Sequence, residues 1–468
     1  MYKGKKFIVA AIIGVMIVAT GGVYVYGEDI VFAAKMSKAE SDCKAKVDHI
    51  TYSLKKNYLG LKNVGQWQQY IKEARVLANK LNKSIRGKYI DQINKAEALV
   101  NAAARVNKVE QSMSINPHTI KNTVTWDQYI RLAKTDLSKV NKTIFSKQIS
   151  QLNDRIIERE TAIDFIKTGI TSQQITIGEF VEPVKAELIK PKVMNKDTKI
   201  VVMVGDSGPT DRNGGLGVNS PYRDIGEGLA KKGIASLRFD KRAFSYGDKF
   251  SMEYDYNFSI NEDYKHDYDN VIYHVFNMKN IDISNIYVIG FGQGGNVIPY
   301  LNRYNSRAKG YIFMGTNQSP TEESVARKIR GLISTSTKLT QSEKNQMIKI
   351  TNEELKCINN LTESSPNDFY LEQSTKYWVI DKWCRLNTSV KSINKPMMFL
   401  HGENDVIVPV GEINKFKEEL LNKENVSFKT YKGLTSEFIT GPKNFDSYNI
   451  KGRVSQSVID DIANFINK

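Results

Sequence analysis

Histidine is scarce in this chain of 468 residues, and none follows His401. Imidazole is the side chain most often used to move protons near neutral pH, so residues 406–468 contribute no such group. Cysteine is scarcer still. Cys43, Cys357 and Cys384 are odd in number, far apart and without metal-ligand spacing, which excludes a disulfide framework and a zinc site. No metal and no cofactor is expected. Acidic charge is thin in one region: residues 34–170 carry 25 Lys and Arg against 13 Asp and Glu, whereas 171–468 carry 39 against 36. Most of the formal net charge of +16 therefore belongs to the first third.

What is present begins with an apolar run. Lys3, Lys5 and Lys6 precede 20 almost unbroken apolar residues, 7–26. That length is enough for a helix to cross a bilayer, and it exceeds the shorter core of a secretory signal. Residues 1–33 are read as a membrane anchor or signal segment, with the membrane met through residues 7–26. The lysines place the N-terminus in the cytoplasm and the rest outside, in a single-pass cell-membrane protein. The alternative is a secreted chain cleaved near Ala33. On the outer side of a membrane, the basic region 34–170 would meet anionic lipid or wall polymer, not nucleic acid.

Residues 34–170 also contain an internal repeat at an offset of 59 residues. Trp67, Tyr70, Ile71 and Ala74 recur as Trp126, Tyr129, Ile130 and Ala133, and Ile90 and Ile93 recur as Ile149 and Leu152. Apolar residues in each copy step by three and four, the signature of one helical stripe. Asn82 to Ser84 and Asn141 to Thr143 are polar breaks that suit helix caps. A duplicated all-α region is expected, with helices near 34–57, 66–82, 85–112, 125–141 and 144–168.

From residue 171 the pattern changes. Short β-rich runs at 199–204, 234–239, 286–289, 310–314, 396–400 and 426–431 alternate with helical stretches, the pattern of a mostly parallel sheet with helices on both faces. Residues 319–386 hold no convincing strand and read as a helical lid inserted over the carboxyl edge of that sheet. The α/β domain is taken as 171–468.

Several segments of this domain carry specific motifs. Gly290-Phe291-Gly292-Gln293-Gly294 keeps the glycines of a strand-turn-helix elbow, G-x-S-x-G, with glycine at its centre. Gly205-Asp206-Ser207-Gly208-Pro209-Thr210-Asp211-Arg212 follows a strand, Asp240-Lys241-Arg242 follows the next, and His401 to Pro409 and Gly433 to Phe438 lie further on. In this order the segments resemble the α/β-hydrolase family, in particular its bacterial envelope esterase- and peptidase-like branch. The resemblance implies a nucleophile position at Gly292, an acid position at Asp405 and a histidine position at Ser436. It also implies an oxyanion loop at Asp206 and Ser207, with Gln293 following the elbow in the cleft.

On that correspondence the catalytic set is incomplete. An acid whose task is to orient an imidazole has none to orient, and Asp206 would repel a developing oxyanion. The expectation is a membrane-anchored extracytoplasmic protein, catalytically inactive, that binds a small molecule or a protein in the cleft. Two alternatives stand beside it: an atypical, serine-independent hydrolase of esterase or peptidase type, and a structural envelope-binding protein. Gly290, Gly292 and Gly295 also spell G-x-G-x-x-G, but no acid closes the next strand as dinucleotide binding requires. His401 precedes the acid loop and reads as a structural histidine.

Overall fold

The computed structural model describes residues 37–56, 61–62, 64–116, 120–178, 182–215, 217–247, 257–281, 283–387 and 389–468. The apolar run 7–26 and Ala33 lie outside these residues. Among the described residues, no helix is long and apolar enough to cross a membrane. The chain divides into two compact units, one of residues 1–111 with 129–156 and the other of residues 112–128 with 157–468.

The first five elements are helices: α1 Lys38–Lys56, α2 Gly65–Asn79, α3 Lys83–Ile115, α4 Ile120–Leu137 and α5 Ser146–Thr168. Cys43, Val47, Ile50 and Leu54 of α1 are buried at steps of four, three and four, so one stripe of the helix supplies its packing face. The 59-residue repeat has a matching hydrogen bond in each copy. Trp67 Nε1 donates to Ser53 Oγ at 3.0 Å in the first unit, and Trp126 Nε1 donates to Ser112 Oγ at 2.9 Å in the second. Asn141 Oδ1 accepts the backbone N–H groups of Thr143 and Ile144, both at 3.0 Å, an Asx turn in the polar break.

The remaining elements run β1 Thr171–Ile177, β2 Val184–Lys190, β3 Ile200–Val204, α6 Pro221–Ala230, β4 Ala235–Phe239, α7 Arg242–Ser245, α8 His266–Phe276, β5 Ile286–Phe291, α9 Gln293–Asn296, α10 Ile298–Tyr304 and β6 Gly310–Met314. They continue with α11 Thr321–Thr335, α12 Gln341–Asn359, β7 Phe369–Tyr370, β8 Gln373–Ser374, α13 Thr375–Asn387, β9 Met397–Gly402, α14 Glu412–Glu419, β10 Val426–Tyr431 and α15 Gln456–Asn467. Eight strands form one sheet in the order β1-β2-β4-β3-β5-β6-β9-β10. The pairs from β4 to β10 are parallel, and β1 and β2 are attached antiparallel at one edge.

Strands β3, β4, β5, β6 and β9 are buried along their whole length, as strands covered on both faces must be. Alternation sorts β3 between the two layers. Ile200, Val202 and Val204 pack into one core with Val271, Ile272 and Val275 of α8, while Val201 and Met203 join Ile225 and Leu229 of α6 and Ile462 of α15 on the other face. Residues 319–386 form α11, α12, a two-residue hairpin and most of α13, and α12 opens on a capping box between Thr340 and Glu343.

The chain leaves β3 to make β4 on one side and returns to lay β5 on the other. Strand order reverses at that point, so the loops after β3 and β5 diverge and open a crevice at their carboxyl ends.

Candidate active site

The crevice is built from two glycine-dependent turns. After β5, Gly292 holds φ +49° and ψ −117° and starts α9, a conformation costly for any residue with a Cβ. Its N–H donates to Met314 O at 2.9 Å, which ties the turn to β6. After β3, the loop brings Asp206 over this turn. Asp206 Oδ1 accepts the N–H of Gln293 at 2.8 Å. A Cβ placed on Gly292 would fall 2.1 Å from that same oxygen. The carboxylate of Asp206 thus occupies the space that a side chain at position 292 would need, and each residue depends on the other's identity.

Asp206 is anchored from behind. Its N–H donates to Tyr222 OH at 3.1 Å, Tyr222 stacks on Phe291 with 3.8 Å between ring centres, and Lys241 Nζ donates to Asp206 O at 3.1 Å. Lys241 is buried, pairs with Asp263 at 2.9 Å and lies 4.0 Å from the Tyr264 ring centre. Burial pushes Lys241 below its ordinary pKa and Asp263 above its own, against their mutual attraction. Gln293 turns its side chain into this network: Oε1 accepts from Tyr264 OH at 3.2 Å and Tyr377 OH at 3.3 Å. Its backbone N–H is the donor to Asp206.

Asp405 approaches from the loop after β9. Oδ1 accepts the N–H groups of Ile407 and Val408, each at 2.8 Å. Oδ2 is buried and has no hydrogen-bond partner among the described residues. Burial lifts this carboxyl to a pKa of about 7, the two N–H groups oppose the rise, and the negative charge of Asp206 adds to it. His401 Nε2 lies 3.8 Å from Asp405 Oδ2 but is bonded to Val408 O at 2.9 Å. Burial holds that imidazole below its usual pKa, consistent with a structural part. Ser436 Oγ is 2.7 Å from Tyr448 OH.

Asp206, Ser207, Gly292, Gln293, Asp405 and Ser436 all line one cavity of about 60 Å³. That volume is room for a few water molecules or one small reacting group. It adjoins a groove of about 950 Å³, with Ser207, Gln293 and Lys328 shared between the two. Lys328 of α11 reaches over the cavity, with Nζ 3.3 Å from Ser207 O. Sequence reasoning missed Lys328, Tyr448 and the Lys241–Asp263 pair. Lys241 alone carried a signal, since Asp240-Lys241-Arg242 was read as a motif, and the structure gives all three residues ion-pair partners.

The family described as serine aminopeptidase, S33, matches residues 214–441. The second unit carries the mostly parallel α/β sheet that the resemblance implied. Among curated proteins, esterase EstD of Thermotoga maritima is 27% identical over 273 residues, 57% of this chain and 62% of the esterase. The chain thus spans under two thirds of that relative's length. Among solved structures, Est1E from Butyrivibrio proteoclasticus has a TM-score of 0.41 at 15% identity, covering 63% of this chain and 99% of its own. The Pyrococcus furiosus esterase Pf2001 has a TM-score of 0.41 at 15% identity, covering 65% and 92%.

The esterase relative and the aminopeptidase family overturn the expectation of a catalytically inactive binding protein, because both are named as hydrolases. The physical source of the error is specific. That expectation found no serine at Gly292 and no histidine at Ser436, and so assigned Asp405 no work. It also gave Asp206 only a repulsive part in the oxyanion loop, whereas the carboxylate accepts the elbow N–H itself.

Proposed function

We propose that the α/β unit is a hydrolase of acyl compounds, an ester or amide hydrolase that uses water and carboxyl groups where its relatives use serine. One observation carries the reading. Asp405 Oδ2 is buried and unpartnered among the described residues, and Asp405 lines a cavity that holds little more than the reacting group. A carboxyl group that is half protonated near pH 7 suits general acid–base catalysis, whose best pKa lies near the working pH. Asp405 then holds the proton that the departing alcohol or amine requires. Lys328, above the cavity, supplies positive charge for the carbonyl oxygen as it becomes an oxyanion. The esterase and aminopeptidase relatives favour acyl substrates over other classes.

The test is turnover by the full-length chain of p-nitrophenyl acyl esters and aminoacyl p-nitroanilides. Expected is hydrolysis of at least one set that is insensitive to fluorophosphonates, since position 292 has no hydroxyl, and that is lost in Asp405→Asn. Absence of turnover on both sets, or turnover that survives Asp405→Asn, would overturn the proposal.

A further inference from the structure

The hydrolase reading gives Asp405 the leaving-group proton but assigns no group to activate the water. The residue at the elbow N–H is the one placed to do so. Asp206 fills the position from which a side chain at 292 would attack. Its Oδ1 is fixed by Gln293 N–H at 2.8 Å, its Oδ2 makes no hydrogen bond among the described residues, and the residue lines the same cavity as Asp405. A carboxylate held through one oxygen by a backbone donor, on a residue that lines a water-sized space, is oriented for proton transfer.

We propose that Asp206 is a second catalytic residue, resting on the hydrolase reading above: it is the general base for the attacking water, and Asp405 is the general acid. The water oxygen bonds to the substrate carbonyl carbon while one water proton passes to Asp206. The bond from that carbon to the leaving oxygen or nitrogen then breaks, and the leaving atom takes the proton of Asp405. The products are a carboxylic acid and an alcohol or amine. Asp206, now protonated, returns its proton to Asp405 through the next water, and the pair is reset.

Other groups face the pair and bear on its titration. Lys241 and Lys328 bring positive charge toward Asp206 and Ser207, and Arg327 acts on Asp405. Tyr222 and Tyr448 feel the charge of Asp206, and burial raises the pKa of both phenols far above the range of the assay. Glu437 adjoins Tyr448, and His401 lies beside Asp405. His401 is the one group of this set whose ordinary pKa falls inside the measured window.

The experiment is the pH profile of kcat for wild type, Asp206→Asn and His401→Gln, with near-ultraviolet circular dichroism of each. Asparagine keeps an acceptor for Gln293 N–H and removes only the proton-accepting function. The wild-type profile is expected to be bell-shaped, with a rising limb from the base and a falling limb from the acid. Asp206→Asn is expected to lower kcat by about 10²–10⁴-fold with KM little changed and to abolish the rising limb. His401→Gln is expected to keep both limbs. No wild-type turnover would sink the hydrolase reading itself. Wild-type turnover with an intact rate and profile in Asp206→Asn would sink this inference and leave that reading standing. If Asp206→Asn fails to fold, the wild-type profile still decides: a single limb, or a rising limb that vanishes in His401→Gln, overturns the assignment.

Discussion

Two groups of buried carboxylates flank the crevice, and they are treated differently. On the β4 side, Asp240 holds Arg212 through two bonds at 2.9 and 2.6 Å, Asp263 holds Lys241 at 2.9 Å and Asp267 holds Arg242 at 2.6 Å. On the β9 side, Asp405 is as deeply buried as any of these and, like Asp263, has one oxygen without a partner, yet among the described residues no cation bonds it. A buried charge is tolerated when an opposite charge and hydrogen bonds compensate its desolvation. Where they do not, the group takes up a proton instead, and Asp405 does so near neutrality. The first arrangement fixes loops, and the second holds a proton ready to move. Burial without a bonded cation is what separates Asp405 from the other three.

The paired side should break hardest. Lys241→Met removes the cation from Asp263 and the donor from Asp206 O, leaving a buried acid uncompensated. Loss of one partner from such a pair costs about 3–5 kcal/mol, to be read as a drop in urea midpoint. Asp263→Asn combined with Lys241→Met should recover much of that loss, because the leftover charge is the larger part of the penalty. Equal destabilisation in the single and double variants would show that the pair is not the loop's anchor.

Asp405 should behave in the opposite sense. Its folded pKa of about 7 lies above an ordinary carboxyl pKa near 4. The folded state keeps the proton over that interval and the unfolded state does not, so stability falls as pH rises from about 4 to 7. The interval corresponds to about 4 kcal/mol at most, at about 1.36 kcal/mol per pKa unit. Asp405→Asn removes this slope, so the variant should lose activity and yet gain stability over wild type at pH 8. Parallel stability–pH curves for the two proteins would show that Asp405 does not carry the slope.

The elbow sharpens the comparison, because there a carboxylate and a missing side chain compete for one space. Gly292→Ala puts a Cβ 2.1 Å from Asp206 Oδ1 at a positive φ, and about 1–3 kcal/mol of destabilisation is expected from strain and displacement. Asp206→Gly in the same chain should relieve the contact part of that cost. A double-mutant cycle reads the coupling, and strict additivity would mean that the two residues do not contend for the space.

Much of this arrangement was legible in the sequence, for reasons that differ by element. Five of the six parallel strands announce themselves as short apolar runs because both their faces are covered, and the edge strand β10 shows instead the alternation of Val426 and Phe428 with polar residues. β1 does not, since Thr171 to Thr176 lie mostly exposed at the edge and carry two glutamines, even though Gly178 and Pro183 stand between it and β2. The lid hairpin, two residues a side, leaves no periodicity to read. In the cleft, Asp206, Gln293, Asp405 and Ser436 were found through motifs because each follows a strand end. Lys328 was not, since it comes from α11 on the far side of the groove, and contact made by an insertion has no local pattern. The direction of the Gln293 side chain and the place of Asp206 on its N–H depend on packing between loops 87 residues apart.

The smallest effect extends the comparison to partners without charge. Trp67 and Trp126 each donate an indole N–H to a serine hydroxyl 14 residues earlier, but Trp126 is 1% exposed whereas Trp67 is only half-buried. Removing the donor from a buried pair leaves the serine oxygen without compensation, while near solvent water replaces it. Trp126→Phe should therefore cost more than Trp67→Phe once each is corrected for lost contact area. The hydrogen-bond difference should be about 1 kcal/mol. Replacing the serine partner at the same time, Ser112→Ala or Ser53→Ala, isolates that part in a double-mutant cycle. Equal coupling energies in the two copies would mean that burial does not set the worth of a neutral pair, and would confine the rule drawn from Asp405 to charged groups.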